Sequence, residues 1–357
     1  MSGAPLAPAG STPGSRPLIS FCLFTYRQEH FVREAVAGAL AQTYSPLEII
    51  LSDDASPDGS YRLMEELAHH YRGPHQVRLN RNPANLGLVG HVNRLMELAR
   101  GEIIVIAAGD DISLPERTEE TWRLWKASGH RAMSISFIPA PMKEQSSLPW
   151  QFIARPEWNT LDHQLRTGEA SVCGASQAWH RRLFEVFGPL PADLAEEDRA
   201  IAFRAALLGE VVLAPPALVR YRIHQHNISL SALQEAQMRK VAALRLLSRD
   251  KPARLRSFLR DVKTAAAHGL LTPERAAAAT ATLERGLART QAELVLFTGN
   301  RKERRAAARQ LCQAPPSERP GRGRRLYLRL AALWPSGADA WVRLRMSRWV
   351  QQRWPAG

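Results

Sequence analysis

The chain has 357 residues, 45% hydrophobic and 23% charged, ordinary proportions for a globular protein with room for about two domains. Its net charge of +14 is unevenly placed: residues 1–230 carry 22 Lys/Arg against 25 Asp/Glu, whereas 231–357 carry 26 against 9. Three distant cysteines (Cys22, Cys173, Cys312) argue against a disulfide framework or a zinc cluster and fit a reducing compartment.

No apolar run reaches the roughly 20 residues of a membrane-spanning helix. The first residues lack the charged and apolar regions of a signal peptide, so the expected location is cytoplasmic. Residues 1–16, rich in Pro, Gly, Ser and Ala, read as a disordered segment. Leu18 to Phe24 is a first buried strand, followed by Thr25-Tyr26-Arg27 and a helix with Phe31, Val32, Ala35, Val36, Ala39 and Leu40 on one face. A second strand, Leu47 to Ser52, runs into the turn-rich Asp53-Asp54-Ala55-Ser56-Pro57-Asp58-Gly59. A helix from Tyr61 to Tyr71, a short strand from Val77 to Asn80 and a third helix after Asn85-Leu86-Gly87 follow. That helix is expected to stop at Gly101 in a left-handed C-cap.

Glu102 to Ala108 is an unbroken apolar strand that ends at Gly109-Asp110-Asp111, with Pro115 placed where the next helix begins. Two adjacent carboxylates therefore stand at the carboxyl edge of a sheet, where open α/β folds hold ligands. Hard divalent cations prefer such oxygen ligands, although a surface turn uses the same residues. Beyond this point the sequence predicts a helix over Thr118 to Ala127 and a strand from Met133 to Ile138. A loop-rich wall over 139–167 and a helix from Arg181 to Phe187 come next. A further helix opens at Glu196-Glu197-Asp198 and ends at Gly209, and two strands run over 211–213 and 218–223. Acidic residues in a helix's first turn suit its dipole without any function. Alternation of strand and helix predicts a doubly wound, mostly parallel α/β sheet.

Four stretches, in order, resemble family 2 glycosyltransferases of the bacterial surface-polysaccharide type. Thr25-Tyr26-Arg27 after the opening strand is similar to the family's PTYNR. LEIILSDDASPDGS resembles FEIIVVDDGSTDGS, and NLG…LARGEIIVIAAGDD resembles NLG…ARGEYIAFLDDDD. EEDRAIAFRAALLGEVVLAPPALVRYRIHQHNIS resembles the closing pattern EDxxLxxRxxxxG…P…YRxHxxNxS. The departures are Gly109 in place of the first acid, Arg27 in place of Asn, and Val92 in place of an Arg, with Asn93 kept.

The resemblance implies a GT-A fold over 17–230, followed by a helical region over 231–313 and a basic amphipathic tail over 314–357. It implies an inverting, metal-dependent hexosyltransferase that moves a sugar from a UDP- or dTDP-linked donor to an acceptor hydroxyl. The implied cofactor is Mn²⁺ or Mg²⁺, held by Asp111 and, from the closing strand, by His224; a hydrogen-bonded structural histidine is the other reading of His224. Thr25, Tyr26, Arg27, Asp54 and Asp110 are the implied nucleotide contacts, with Tyr26 stacked on the base, Asp54 accepting from a ring N–H and Asp110 at the ribose. Asp53 is expected as a loop residue. Asp198 is the implied general base, with Glu197 beside it.

The implied partners are a saccharide or lipid-linked acceptor and, for residues 314–357 with their interleaved Trp, Leu and Arg, an anionic membrane surface. A basic helix packed on the catalytic domain is the alternative for that tail. Two other classes compete. A sugar-nucleotide nucleotidyltransferase would carry a Gly-rich loop after the first strand, and residues 25–33 contain no glycine. A nucleic-acid-binding protein would suit the basic C-terminal part, which holds no nucleic-acid motif, so no nucleic acid is expected.

Overall fold

The computed structural model describes residues 16–142, 152–224 and 250–313. Strand β1 (Ile19–Thr25) is apolar and buried along its length because it is flanked on both sides by parallel neighbours. On one side β2 (Leu47–Asp53) runs in register from Ile19 opposite Leu47 to Thr25 opposite Asp53. On the other side β4 (Ile103–Ala108) runs from Ile19 opposite Ile103 to Phe24 opposite Ala108. The matched registers end all three strands at one edge, so Thr25, Asp53 and Ala108 hand the chain over to Tyr26, Asp54 and Gly109 together.

With β3 (Gln76–Arg81), β6 (Ala132–Phe137), β8 (Gln177–His180) and β9 (Glu210–Ala214), the sheet has the order β3-β2-β1-β4-β8-β6-β9. Helices α1 (Val32–Leu40), α2 (Ser60–His70), α3 (Gly87–Leu98) and α4 (Arg117–Ala127) make the crossovers. Side chains such as Phe21, Leu23, Val36, Ile49, Leu51, Ile103 and Val105 form its core. The doubly wound, mostly parallel sheet matches the expectation.

Three details differ from the sequence reading. First, β4 is parallel to β1 but antiparallel to β8, with Ile103 opposite His180, so the sheet is mixed. Second, α3 stops at Leu98 and its cap, Ala99, is extended at ψ 142°, so Gly101 is no left-handed cap. A side chain at Gly101 would overlap the backbone of Ser20, and its N–H donates to Ser20 Oγ at 2.7 Å. Glycine is needed there for close approach. Third, a small second sheet forms where β10 (Val219–Tyr221) lies between β5 (Ile112–Ser113) and β7 (Ala140–Pro141). It pairs Arg220 with Ile112, directly after Asp111.

The described residues divide into two compact units. One holds residues 16–140, 171–190 and 208–221; the other holds 141–142, 152–170, 191–207, 222–224 and 250–313. In the second unit α7 (Asp198–Leu208) is joined to α8 (Lys251–Ala267) by Phe203 stacked on Phe258, with ring centroids 3.8 Å apart. A buried ion pair from Arg204 Nε to Asp261 Oδ2 at 3.1 Å lies one residue further along α7. Helix α5 (Leu161–Thr167) also belongs to this unit, and α8 with α9 (Pro273–Thr298) and α10 (Arg301–Cys312) makes the expected helical C-terminal region among the described residues. No helix among the described residues is long and apolar enough to cross a membrane. The expected N-terminal disordered segment and the amphipathic tail over 314–357 lie outside the described residues.

Candidate active site

The edge where β1, β2 and β4 end gathers six of the residues singled out in the sequence. Thr25 is buried; its hydroxyl donates to Gln28 Oε1 at 3.0 Å, and its carbonyl accepts from the Asp54 N–H at 2.9 Å. Tyr26 is 39% exposed. Arg27 has φ +56°, a left-handed conformation in which Asn is favoured, which gives a backbone reason for the family's usual residue. Its N–H donates to Ser56 Oγ at 2.9 Å, and its guanidinium lies 5.2 Å from the Tyr26 ring centroid.

Asp53 Oδ2 accepts from the Ser56 N–H at 2.8 Å, as a turn residue does. Asp54, almost fully buried, binds the approach to α3 instead of standing open. Its Oδ1 accepts from Asn82 Nδ2 (2.8 Å) and the Leu86 N–H (2.9 Å), and its Oδ2 accepts from the Gly87 N–H (3.0 Å). The network continues from Asn82 Oδ1 to Asn80, from Asn80 to Ser52 Oγ, and from Ser52 Oγ to His91 Nε2 at 2.7 Å. Burial pushes the His91 imidazole down from 6.5 to about 4, against the pull of the Asp54 charge, so it is neutral at neutral pH. Asn82 and His91 escape a reading by motif because polar residues in a short strand end and an amphipathic helix carry no signature.

At the end of β4, Gly109 donates its N–H to the Phe24 carbonyl at 2.9 Å. A Cβ on Gly109 would lie 2.5 Å from Gln28 Oε1 and 2.7 Å from Thr25 Oγ1. A side chain at this position, where the family carries an acid, would therefore require Thr25 and Gln28 to shift. Asp110 and Asp111 follow, both buried, with the Asp111 N–H closing a turn onto the Ala108 carbonyl at 3.2 Å.

Beneath them is Arg117, fully buried at the start of α4. It donates through Nη2 to the Ile106 carbonyl (2.6 Å) and through Nη1 to Ser113 Oγ (2.9 Å). Burial pushes its pKa down to about 10, and the Asp111 charge opposes that fall. An arginine after a helix-initiating proline gives no hint in sequence of this buried place.

The adjacent carboxylates suit a hard divalent cation, which takes one or two protein carboxylates and fills its shell from phosphate oxygens and water. Among the described residues no group of three or more His, Cys, Asp or Glu forms a closed metal site.

The second unit holds the other predicted residues. Asp198 begins α7, and its Oδ1 accepts from the Arg199 N–H (2.6 Å) and from Arg199 Nη1 (3.3 Å). Arg199 also bonds Glu196 and, through Nε, Glu169 Oε2 at 3.1 Å. Glu169 Oε1 in turn accepts from Arg254 Nη2 of α8 at 2.8 Å. Neighbouring Asp198 above all, then burial working against it, leaves the Arg199 pKa well above its ordinary value.

Glu197 is buried, and desolvation first, with the Asp198 charge second, raises its carboxyl from 4.5 to about 8. Within this acidic cluster it is Glu197 whose carboxyl is raised most clearly. His224 follows the end of β10 by three residues and is half-buried. Thr25, Tyr26, Arg27, Asp54, Asp110 and Asp111 are brought to one sheet edge in the first unit; Glu197, Asp198 and His224 belong to the second.

Tyr26, Arg27 and the adjacent carboxylates Asp110 and Asp111 thus share one edge of a mostly parallel, GT-A-like sheet. Residues 20–187 match the family model described as glycosyl transferase family 2, and this span is a family 2 glycosyltransferase domain. An uncharacterized protein of Mycobacterium tuberculosis (strain H37Rv) is 26% identical over 221 residues, covering 60% of this chain and 61% of its own length. The chain thus spans about three fifths of that relative. The uncharacterized glycosyltransferase EpsJ of Bacillus subtilis (strain 168) is 36% identical over 95 residues, 27% of this chain and 26% of its own. Among solved structures, Staphylococcus aureus TarS 1–349 in complex with UDP-GlcNAc is similar at a TM-score of 0.52 and 12% identity, over 92% of this chain and 91% of its own. At that identity the likeness is one of fold.

Proposed function

We propose that the protein is an inverting glycosyltransferase of the hexosyl type, which moves a sugar from a UDP- or dTDP-linked donor to an acceptor hydroxyl. The observation that carries this reading is the pair of buried carboxylates, Asp110 and Asp111, delivered by β4 to the same edge as Thr25-Tyr26-Arg27 and the Asp54 turn. Tyr26 stacks on the base, since a π-face accepts any pyrimidine. Asp54 serves the base together with the Asn82–Gly87 segment that it holds, and Asp110 meets the ribose.

Asp111 is the proposed ligand of Mn²⁺ or Mg²⁺, with His224 as a second. Such an ion, when bound, neutralises charge on the departing diphosphate. Asp198 takes the proton of the acceptor hydroxyl as its oxygen bonds to the anomeric carbon and the bond from that carbon to the diphosphate oxygen breaks. This single displacement inverts the centre. Glu197, with its carboxyl raised to about 8, is neutral at pH 7 and adds no second charge beside Asp198.

The proposed setting is surface-polysaccharide or glycolipid assembly, with a saccharide or lipid-linked acceptor at the inner face of the cytoplasmic membrane; the motif resemblance supports it. The nucleotidyltransferase reading gains nothing from the fold, because the loop after β1 offers no glycine cradle. The test is thermal unfolding with Mn²⁺ and a panel of nucleotide sugars, since ligand binding raises the midpoint by mass action. A UDP- or dTDP-sugar is expected to stabilise the wild type and to fail with Asp111→Ala. A panel without any stabilising donor would overturn the reading.

A further inference from the structure

Helix α10 (Arg301–Cys312) is built with two faces. Ala307, Ala308 and Leu311 are buried against Ala292 and Leu296 of α9, which fixes the rotation of the helix. At 100° per residue, Arg301, Lys302, Arg305 and Arg309 fall within an arc of about 100° that starts beside the buried stripe and runs round to the side opposite it. All four are exposed, and among the described residues no acidic side chain forms an ion pair with any of them. Glu303, the helix's acid, is turned away from that arc and is engaged in the capping box with Asn300. Arg301 and Lys302 stand in the first turn, where the helix dipole disfavours cations. Two cations thus stand at the disfavoured end of a helix with no ion pair among the described residues, a placement that the folding of the helix does not call for.

We propose that the Arg301–Arg309 face of α10 is a docking surface for an anionic lipid bilayer. The face carries cations without aromatic side chains between them. That suits a plane of anionic headgroups better than single-stranded nucleic acid, which is held by stacking platforms within a groove. Residues 301–357 continue the same sign, with 14 Lys/Arg against 3 Asp/Glu. The glycosyltransferase reading supplies only the purpose, access to a lipid-linked acceptor; the surface itself is tested without any sugar nucleotide.

The full chain is sedimented with phosphatidylcholine vesicles, with and without phosphatidylglycerol, at low and high salt. Binding is expected only with phosphatidylglycerol, and high salt should release it. The variant R301Q/K302Q/R305Q/R309Q is expected to weaken vesicle binding by on the order of a hundredfold, while R301K/R305K/R309K retains it, because charge and not guanidinium geometry is at work. Unchanged binding by the Gln variant would overturn the assignment and place the attraction elsewhere in the chain. Loss of binding in the Lys variant, or tighter binding to a single-stranded RNA oligonucleotide than to the anionic vesicles at equal salt, would overturn it too.

Discussion

Asp198 and Glu197 are neighbours in sequence with different surroundings. Arg199 holds Asp198 through both its backbone N–H and its guanidinium, while Glu197 is buried and neutral at pH 7. Asp198→Asn is expected to leave donor affinity near normal and to slow transfer by roughly 10²-fold or more, the usual worth of a positioned base. Steady-state kinetics beside donor titration separates the two effects, and a loss confined to affinity would make Asp198 a helix-terminal structural residue.

Glu197 gives a stability prediction with a definite sign. Its carboxyl ionises near 4.5 when unfolded and near 8 when folded, so the unfolded chain releases its proton first as pH rises. Stability should therefore fall between about pH 4.5 and 8, and Glu197→Gln should flatten that part of a melting-temperature profile. His91 acts at the acid end. Its folded value near 4 lies below the ordinary 6.5, so the unfolded chain binds the proton first and stability present above pH 6.5 is lost as pH falls towards 4. His91→Gln should reduce that acid loss.

The elements nearest the site were the most legible in the sequence. β1, β2 and β4 are apolar runs of strand length closed by turn chemistry, and burial on both faces removes the polar alternation that would confuse them. β8 was missed because Gln177-Ala178-Trp179-His180 is four residues long and mixes polar and aromatic types, although all four are buried. Tertiary contacts alone decide such a strand. Gly101 and Gly109 were visible as glycines, but the reason for each lies across the sheet, in Ser20 for one and in Thr25 and Gln28 for the other. Gly109→Asp, which restores the family's acid, is expected to strengthen no donor contact. It should destabilise the domain by about 1–3 kcal/mol through crowding, measured by denaturant unfolding. Phe258→Ala on α8 should cost roughly 3–5 kcal/mol, since it removes the stacked partner of Phe203 beneath the helix that begins at Asp198.

In the whole molecule, the family 2 span covers residues 20–187, while Asp198 lies beyond it on a helix grouped with the C-terminal helices. The sequence reading drew its boundary at residue 230 because the family resemblance ends there, with the chain turning basic beyond it. The association of α7 with α8 was hidden, because it rests on one aromatic pair and one buried ion pair between distant segments. Removal of residues 250–357 would uncover Phe203 and Arg204, whose partners Phe258 and Asp261 lie on α8, so this truncation is expected to unfold the unit that carries Asp198. Limited proteolysis of the truncated chain reads that outcome.

In the proposed mechanism Asp111 serves donor binding and Asp198 serves proton removal. The most direct measurement is nucleoside diphosphate release from the donor selected in the Mn²⁺ panel, in wild type, Asp111→Ala and Asp198→Asn, with donor affinity measured in parallel. The wild type should bind and turn over the donor, Asp111→Ala should lose both, and Asp198→Asn should bind normally while turning over roughly 10²-fold more slowly. Full turnover by Asp111→Ala, or by the wild type in EDTA, would contradict the assignment.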